Sequence, residues 1–273
     1  GLVGSEMCIR DRTRADQIRF SELTRVQIPA VLHLIRIGYT YLSRKSQEII
    51  ERDSETNILV SIFREQYRKL NNYATDMDFE RDLNNIKLEL NQNDLGRAFY
   101  NRIQGDGGAT YIDWNNPEAN TFHVAMEVSC QNGNDEFRPD VMIFINGLPL
   151  SYIEVKQPNA IRDGKTGIQS EQDRTRYRFE NKKFRRFNNI TQFISFSDNS
   201  SYVSGQGGQK QGSYYCSNAF SKTKFNAFKE EREVDFLHSF QTLTQDDIEY
   251  VLEDMNQLPL QTLPEFVTNM QPD

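Results

Sequence analysis

Apolar residues change their period along this chain, from helical spacing in the first third to strand alternation beyond residue 120. Between Ser21 and Tyr41, Val31, Leu32, Leu34, Ile35 and Ile37 crowd a short helix that Gly38 should stop. Pro29 belongs in its first turn or bends it. A second helix is predicted from about Ser46 to Leu70, with Leu59, Ile62, Phe63, Gln66 and Leu70 at helical spacing. A third begins near Asp78, where Phe79, Leu83, Ile86 and Leu90 fall at 0, 4, 7 and 11. The period then shortens to two: Phe122, Val124, Met126 and Val128 alternate with other residues and predict a half-buried strand. Val141 to Ile145 is a continuous apolar run, as expected of a strand covered on both faces. Asn146-Gly147 is a strong hairpin signal, and Leu148 to Val155 is then the return strand. A polar, basic helix follows over roughly Ile168 to Lys183, and then a strand over Gln192 to Phe196. The Gly-, Ser- and Gln-rich stretch 198–213 reads as a loop. A last amphipathic helix is predicted over Asp246 to Met255, with Ile248, Leu252 and Met255 on one face. Helical and strand periods thus both occur along the chain, which makes it a mixed α/β chain.

The hairpin carries the chemistry. Asp140 precedes its first strand, and Glu154-Val155-Lys156 closes the second. In a hairpin, paired positions sum to a constant set by the turn. A three-residue loop over Asn146–Leu148 gives 294 and places Asp140 opposite Glu154, whereas a two-residue loop gives 293 and sends Glu154 to the other face. A bulge would restore the first pairing. Glu154 and Lys156 share a face whatever the turn, because strand side chains alternate. Two hard oxygen donors with room for water and phosphate suit Mg²⁺, and a lysine beside them can stabilise developing charge or orient a nucleophile. That set suits phosphodiester hydrolysis.

Composition at first argues otherwise. The chain has 273 residues, with 39 acidic against 32 Lys and Arg, for a formal charge of −7. Such a balance speaks against a nucleic-acid partner. The average conceals its distribution. Residues 174–186 hold seven cations (Arg174, Arg176, Arg178, Lys182, Lys183, Arg185, Arg186) and one acid, Glu180, while residues 229–273 hold eleven acids and two basic residues. Interleaved Tyr177, Phe179, Phe184 and Phe187 could anchor the basic helix to the sheet and leave its cations for DNA phosphates. No apolar run approaches the ~20 residues of a membrane span, so no membrane partner is expected. Cys8, Cys130 and Cys216 are widely spaced, and His33, His123 and His238 stand apart, so neither a disulfide framework nor a zinc site is expected, and a reducing cytoplasm is the natural setting.

The string PDVMIFINGLPLSYIEVKQP, with Asp140, Glu154 and Lys156 at its key positions, resembles the PD-(D/E)xK nuclease motif. More narrowly, it is similar to the N-terminal nuclease domain of the restriction (R) subunit of type I restriction-modification enzymes, from about Phe20 onward. The resemblance implies a PD-(D/E)xK restriction-endonuclease-like core, a central mixed β-sheet flanked by helices. It implies Mg²⁺ held by Asp140 and Glu154, a catalytic Lys156, the Val155 carbonyl as a further metal ligand, and an early-helix glutamate near the metal, for which Glu22 is the matching position. That family often carries a Gln-x3-Tyr element on the helix after the lysine. Here Asp173 stands four residues before Tyr177, so Gln172 and Tyr177 are candidates for that role without matching its spacing. The implied activity is a type I site-specific deoxyribonuclease that cuts unmodified foreign double-stranded DNA in a complex with methyltransferase and specificity subunits. A catalytically degenerate nuclease fold that binds DNA or a partner subunit is the alternative. A nuclease of a repair or junction-cleaving branch is a third reading, against which the Asn-Gly-Leu-Pro-Leu string weighs.

Gly164-Lys165-Thr166 invites a P-loop reading, but Asn159 stands where that motif needs a glycine, so no ATP site is expected in this chain. ATP would act only through a motor domain absent from this chain, as the resemblance implies. The expected organisation is therefore an artefactual or disordered segment over 1–12 (GLVGSEMCIRDR), an endonuclease domain over 13–245, and a helix with a Pro-rich connector toward a missing motor over 246–273.

Overall fold

The computed structural model describes residues 21–106, 108–157, 161–162, 164–197, 214–216, 225–227 and 243–255, with backbone alone at 161–162, 165–166, 214–216 and 225–227 and at Arg25 and Gln172. The segments 1–12, 198–213 and 256–273, on which the sequence raised expectations, lie outside the described residues. No helix among the described residues is long and apolar enough to cross a membrane.

A mixed sheet runs through the middle of the molecule. Its strands are β1 (Thr40–Tyr41), β2 (Phe122–Met126), β3 (Val141–Ile145), β4 (Leu148–Val155), β5 (Phe193–Ser197), β6 (Tyr214–Cys216) and β7 (Phe225–Ala227), adjacent in that order. The pairs β1–β2 and β4–β5 are parallel and the others antiparallel. The four longer strands, β2 to β5, form the middle of the sheet, and the short β1, β6 and β7 extend it at its two edges.

Helices cover both faces, because β2 and β3 are apolar on both. One face, with Ala125, Met142, Phe144 and Tyr152, packs under α2 (Val60–Leu70) and α3 (Asp76–Glu89). The other, with Val124, Met126 and Val141, packs under α1 (Ile28–Arg36) and α6 (Gln245–Asp254). Each large side chain taken out of water there contributes about 1.5–3 kcal/mol. Pro29 sits in the first turn of α1, where its missing N–H costs nothing, and Gly38 follows its end at φ 105°. The parallel β4–β5 step requires a crossover, supplied by α4 (Gly167–Glu180) and α5 (Arg185–Ile190). The expected basic helix is therefore the crossover itself.

Three expectations need correction. The helix predicted over Ser46–Leu70 is a single turn, Gln47–Ile50, followed after a break by α2. Asp53 accepts from the Thr56 backbone and hydroxyl, and Asn57 turns left-handed at φ 59°, so local hydrogen bonds outcompete the helix there. The strand predicted through Val128 ends at Met126, because Glu127 is left-handed at φ 54° and donates its N–H to the Asp140 carbonyl. The helix predicted through Lys183 ends at Glu180: the Asn181 side chain accepts from Lys183 N–H and caps a new turn over Lys182–Phe184. The third helix, expected from near Asp78, starts two residues earlier at Asp76, because Thr75 and Asp78 form a capping box ahead of it.

Candidate active site

The site begins at the hairpin turn. Asn146 and Gly147 are both left-handed (φ 52° and 80°), as a two-residue turn requires, and pair Ile145 with Leu148. Unbroken, that register would put Glu154 on the wrong face. The shift occurs within four residues: Ile143 pairs with Ser151, so Phe144 alone faces both Pro149 and Leu150. Pro149 has no N–H to lose from the ladder, so the bulge forms where the strand gives up least. Beyond it, Val141 pairs with Ile153, and the next step sets Asp140 opposite Glu154. The pairing anticipated for a three-residue loop is thus reached by a tighter turn and a bulge.

Asp140 is fixed from three sides. Its Oδ2 accepts from Val155 N–H at 2.8 Å, and its carbonyl accepts from Glu127 N–H at 3.0 Å and from the Gln27 side-chain amide at 2.7 Å. Glu154 is 2% exposed. Its Oε1 accepts from Arg178 at 3.2 Å, and the Arg178 guanidinium lies 3.9 Å from the centroid of the Phe137 ring. Lys156 Nζ donates to its neighbouring Val155 carbonyl at 2.5 Å and stands 3.3 Å from Glu171 and 4.0 Å from Glu22. Glu22 is tied down where its Oε2 accepts from Gln157 N–H at 2.9 Å. The stem of Lys156 lies against Gly167, where an added Cβ would come within 3.0 Å of it. Helix α4 can start beside the lysine because that residue has no side chain.

The electrostatics follow from burial. Desolvation raises the carboxyls of Asp140 and Glu22 above their ordinary values. Burial, reinforced by the charge of Asp140, pushes Glu154 up to about 8, and Arg178 and Lys156 offset this only in part. Asp140, Glu154, Glu171 and Glu22 thus face two inward cations, Lys156 and Arg178, with Arg174 at the exposed rim. Among the described residues no group of three or more His, Cys, Asp and Glu side chains is arranged to hold a metal. The candidate donors are the carboxyl groups of Asp140 and Glu154 and the Val155 carbonyl, with Glu22 beside them across Lys156. These are hard oxygens, with no thiol or imidazole among them, and they fit Mg²⁺ better than a softer ion.

The structure therefore brings Asp140, Glu154, Val155, Lys156 and Glu22 together. It leaves Tyr177 out: that side chain is 74% exposed, on the face of α4 turned from the sheet. The side chain of Gln172 lies outside the described residues. The basic residues divide. Arg178 points inward to Glu154 and Glu171. Arg174 pairs with Glu171, Lys183 with Asp135 and Arg186 with Glu55, while Arg185 donates to the Asn91 carbonyl at 3.3 Å. Arg176 and Lys182 are exposed and make no ion pair among the described residues. Phe179, Phe184 and Phe187 pack on the core as anchors.

Sequence reasoning passed over Glu171, which is 0% exposed and in contact with three cations. The signal was present: Glu171, Thr175 and Arg178 fall at helical spacing on one face of a helix otherwise read only for its charge.

The family model for the type I restriction enzyme R protein N terminus matches residues 19–212. A protein of Methanocaldococcus jannaschii described as a "putative type I restriction enzyme MjaIXP endonuclease subunit" is 26% identical over 193 residues, which cover 60% of this chain and 18% of that protein. The chain thus spans a minor part of that relative's length. With the family match covering most of the chain and the Asp140–Glu154–Lys156 hairpin inside it, this protein belongs to the type I restriction enzyme R protein N-terminus family.

Proposed function

We propose that this chain is the Mg²⁺-dependent DNA endonuclease domain of a type I restriction enzyme R subunit. The observation that carries the reading is the convergence of Asp140, Glu154 and Lys156 at one end of a bulged hairpin, inside the matched family region. Asp140, Glu154 and the Val155 carbonyl would hold the ion, whose contribution is to neutralise a phosphodiester and make a bound water more acidic. The chain's own residues do the rest. Val155 N–H fixes the rotamer of Asp140, and burial keeps both carboxylates poorly solvated, so they favour a cation. Lys156, released from the Val155 carbonyl, can place its ammonium against a phosphate oxygen as charge builds there. Exposed Arg176 and Lys182, without an ion pair among the described residues, can meet DNA phosphates. Lys183 and Arg186 first exchange an acidic partner for one.

In the assembled enzyme, methyltransferase and specificity subunits would select unmodified foreign DNA, and an ATP-driven motor would belong to sequence beyond this chain. The test is cleavage of double-stranded DNA in Mg²⁺ by wild type, Glu154→Gln and Lys156→Ala within the assembled enzyme, with circular dichroism of each chain as the folding control. Loss of cutting by both folded variants is expected. Retained Mg²⁺-dependent cutting by both would overturn the assignment, and Mg²⁺ binding that ignores Asp140 and Glu154 would point to a degenerate module.

A further inference from the structure

The inner face of α4 is unusual for a packing helix. It presents Glu171 (0% exposed), Thr175 (1%) and Arg178 to the sheet, and the Thr175 hydroxyl is buried with no hydrogen-bond partner among the described residues. Burying a hydroxyl without a partner is costly, and a buried ion cluster adds little net stability, so stability alone does not account for this face. Glu171 contacts Lys156 at 3.3 Å, Arg174 at 2.9 Å and Arg178 at 3.0 Å, through ion pairs rather than aligned hydrogen bonds. The same nitrogen of Arg178 that meets Glu171 Oε1 also meets Glu154 Oε1 at 3.2 Å. One guanidinium is therefore shared between a carboxylate of the candidate donor set and one outside it.

We infer that Glu171 is a positioning residue for the cation site: by sharing Arg178 it holds the guanidinium partly off Glu154, leaving that carboxylate able to take a divalent ion. The inference rests on the endonuclease reading above and deepens it. Arg178, in contact with Glu154 Oε1, competes with the incoming ion for that carboxyl group. Glu171 sets how strongly it competes, because a guanidinium anchored 3.0 Å from a second buried carboxylate need not follow the first. Glu171 also draws Lys156 toward α4, so the two inward cations share one anchor. The bland alternative is a structural ion cluster that ties α4 to β4. It predicts a loss of stability on mutation but no specific coupling between Glu171 and Arg178 in ion binding.

The experiment is Mg²⁺ titration by calorimetry of the full chain, comparing wild type, Asp140→Asn, Glu171→Gln, Arg178→Met and the Glu171→Gln/Arg178→Met double variant. Glu171→Gln should weaken binding and Arg178→Met should tighten it, each by at least about fivefold, the lower end of couplings between interacting sites. In the double variant, Glu171→Gln should have little further effect, because the residue it restrains is gone. If the two substitutions act additively, or if Glu171→Gln binds Mg²⁺ as wild type does, the inference fails. Should Glu171→Gln not fold, Arg178→Met alone still decides, because unchanged or weaker binding there overturns the competition. A wild-type chain that binds no Mg²⁺, or binds it equally well as Asp140→Asn, overturns the endonuclease reading and this inference with it.

Discussion

Asn146→Ala tests whether the turn that phases the site is held by its side chain. Asn146 is fully buried. Its Oδ1 accepts from Thr121 N–H at 2.7 Å, and its Nδ2 donates to the Tyr111 carbonyl at 2.9 Å and to Asn120 Oδ1 at 2.8 Å. Alanine removes all three, together with a longer bond from the Thr121 hydroxyl to Oδ1 at 3.4 Å. Asn120 Oδ1 keeps a bond from Asp113 N–H, so two backbone groups, Thr121 N–H and Tyr111 C=O, lose this partner in the interior. At about 1–2 kcal/mol for each stranded group, the loss is about 2–4 kcal/mol. The left-handed φ of 52° adds about 1 kcal/mol for a residue with a Cβ and no local hydrogen bond. The expected destabilisation is about 3–5 kcal/mol, a large share of the about 5–15 kcal/mol of a typical domain. Asn146→Gly isolates the two contributions: it loses the same bonds but keeps φ at no steric cost, so it should be more stable than Asn146→Ala by about 1 kcal/mol. Urea unfolding of the three chains, compared by midpoint at equal slope, measures both differences. If Asn146→Ala lies within about 1 kcal/mol of wild type, or is no worse than Asn146→Gly, the side chain does not hold the turn.

Asp53 offers a pH test away from the site. Burial raises its carboxyl, but hydrogen bonds from Lys87 and Thr56 outweigh this and hold it below the ordinary carboxylate value. A depressed folded value means the stabilisation is present above the unfolded value of about 3.9 and is lost as pH falls through the folded one. Wild type should therefore exceed Asp53→Asn in stability at neutral pH, and the gap should shrink on acidification toward about pH 3; a gap constant across that range would contradict the pairing. For the basic crossover, Arg176→Ala and Lys182→Ala should each lower the salt dependence of DNA binding by about one phosphate contact without changing stability. Arg186→Ala should also perturb the fold slightly, because it releases Glu55; equal effects of all three on unfolding would refute the division into free and paired cations.

What local chemistry writes, the sequence shows. The strands Val141–Ile145 and Leu148–Val155, the Asn146-Gly147 turn and the helix end at Gly38 depend on residues within a few positions of one another. So does the shared face of Glu154 and Lys156. The three residues that carry the family resemblance were therefore legible from the chain alone, whereas the mixed sheet was expected only through that resemblance. Helix breaks at Asp53–Asn57 and at Asn181 were less so, because apolar spacing continues through them while side chains cap the backbone.

Only the tertiary structure decided the phase of the hairpin and the fate of the charges. Whether Asp140 faces Glu154 depends on a single extra residue at Pro149–Leu150, and the turn signal is identical with or without it. The basic run counted as one patch in sequence. Arg178 turns inward because Glu154 and Glu171 wait on that side of α4, and Arg186 pairs with Glu55, which is 131 positions away. Ion-pair partners are set by which faces the folded sheet and its crossover helix bring together, since a charge exerts its effect through space rather than along the chain. Glu171 shows the difference most plainly: an ordinary acid in a polar helix by sequence, it becomes by packing the buried anchor of two cations beside the candidate active site.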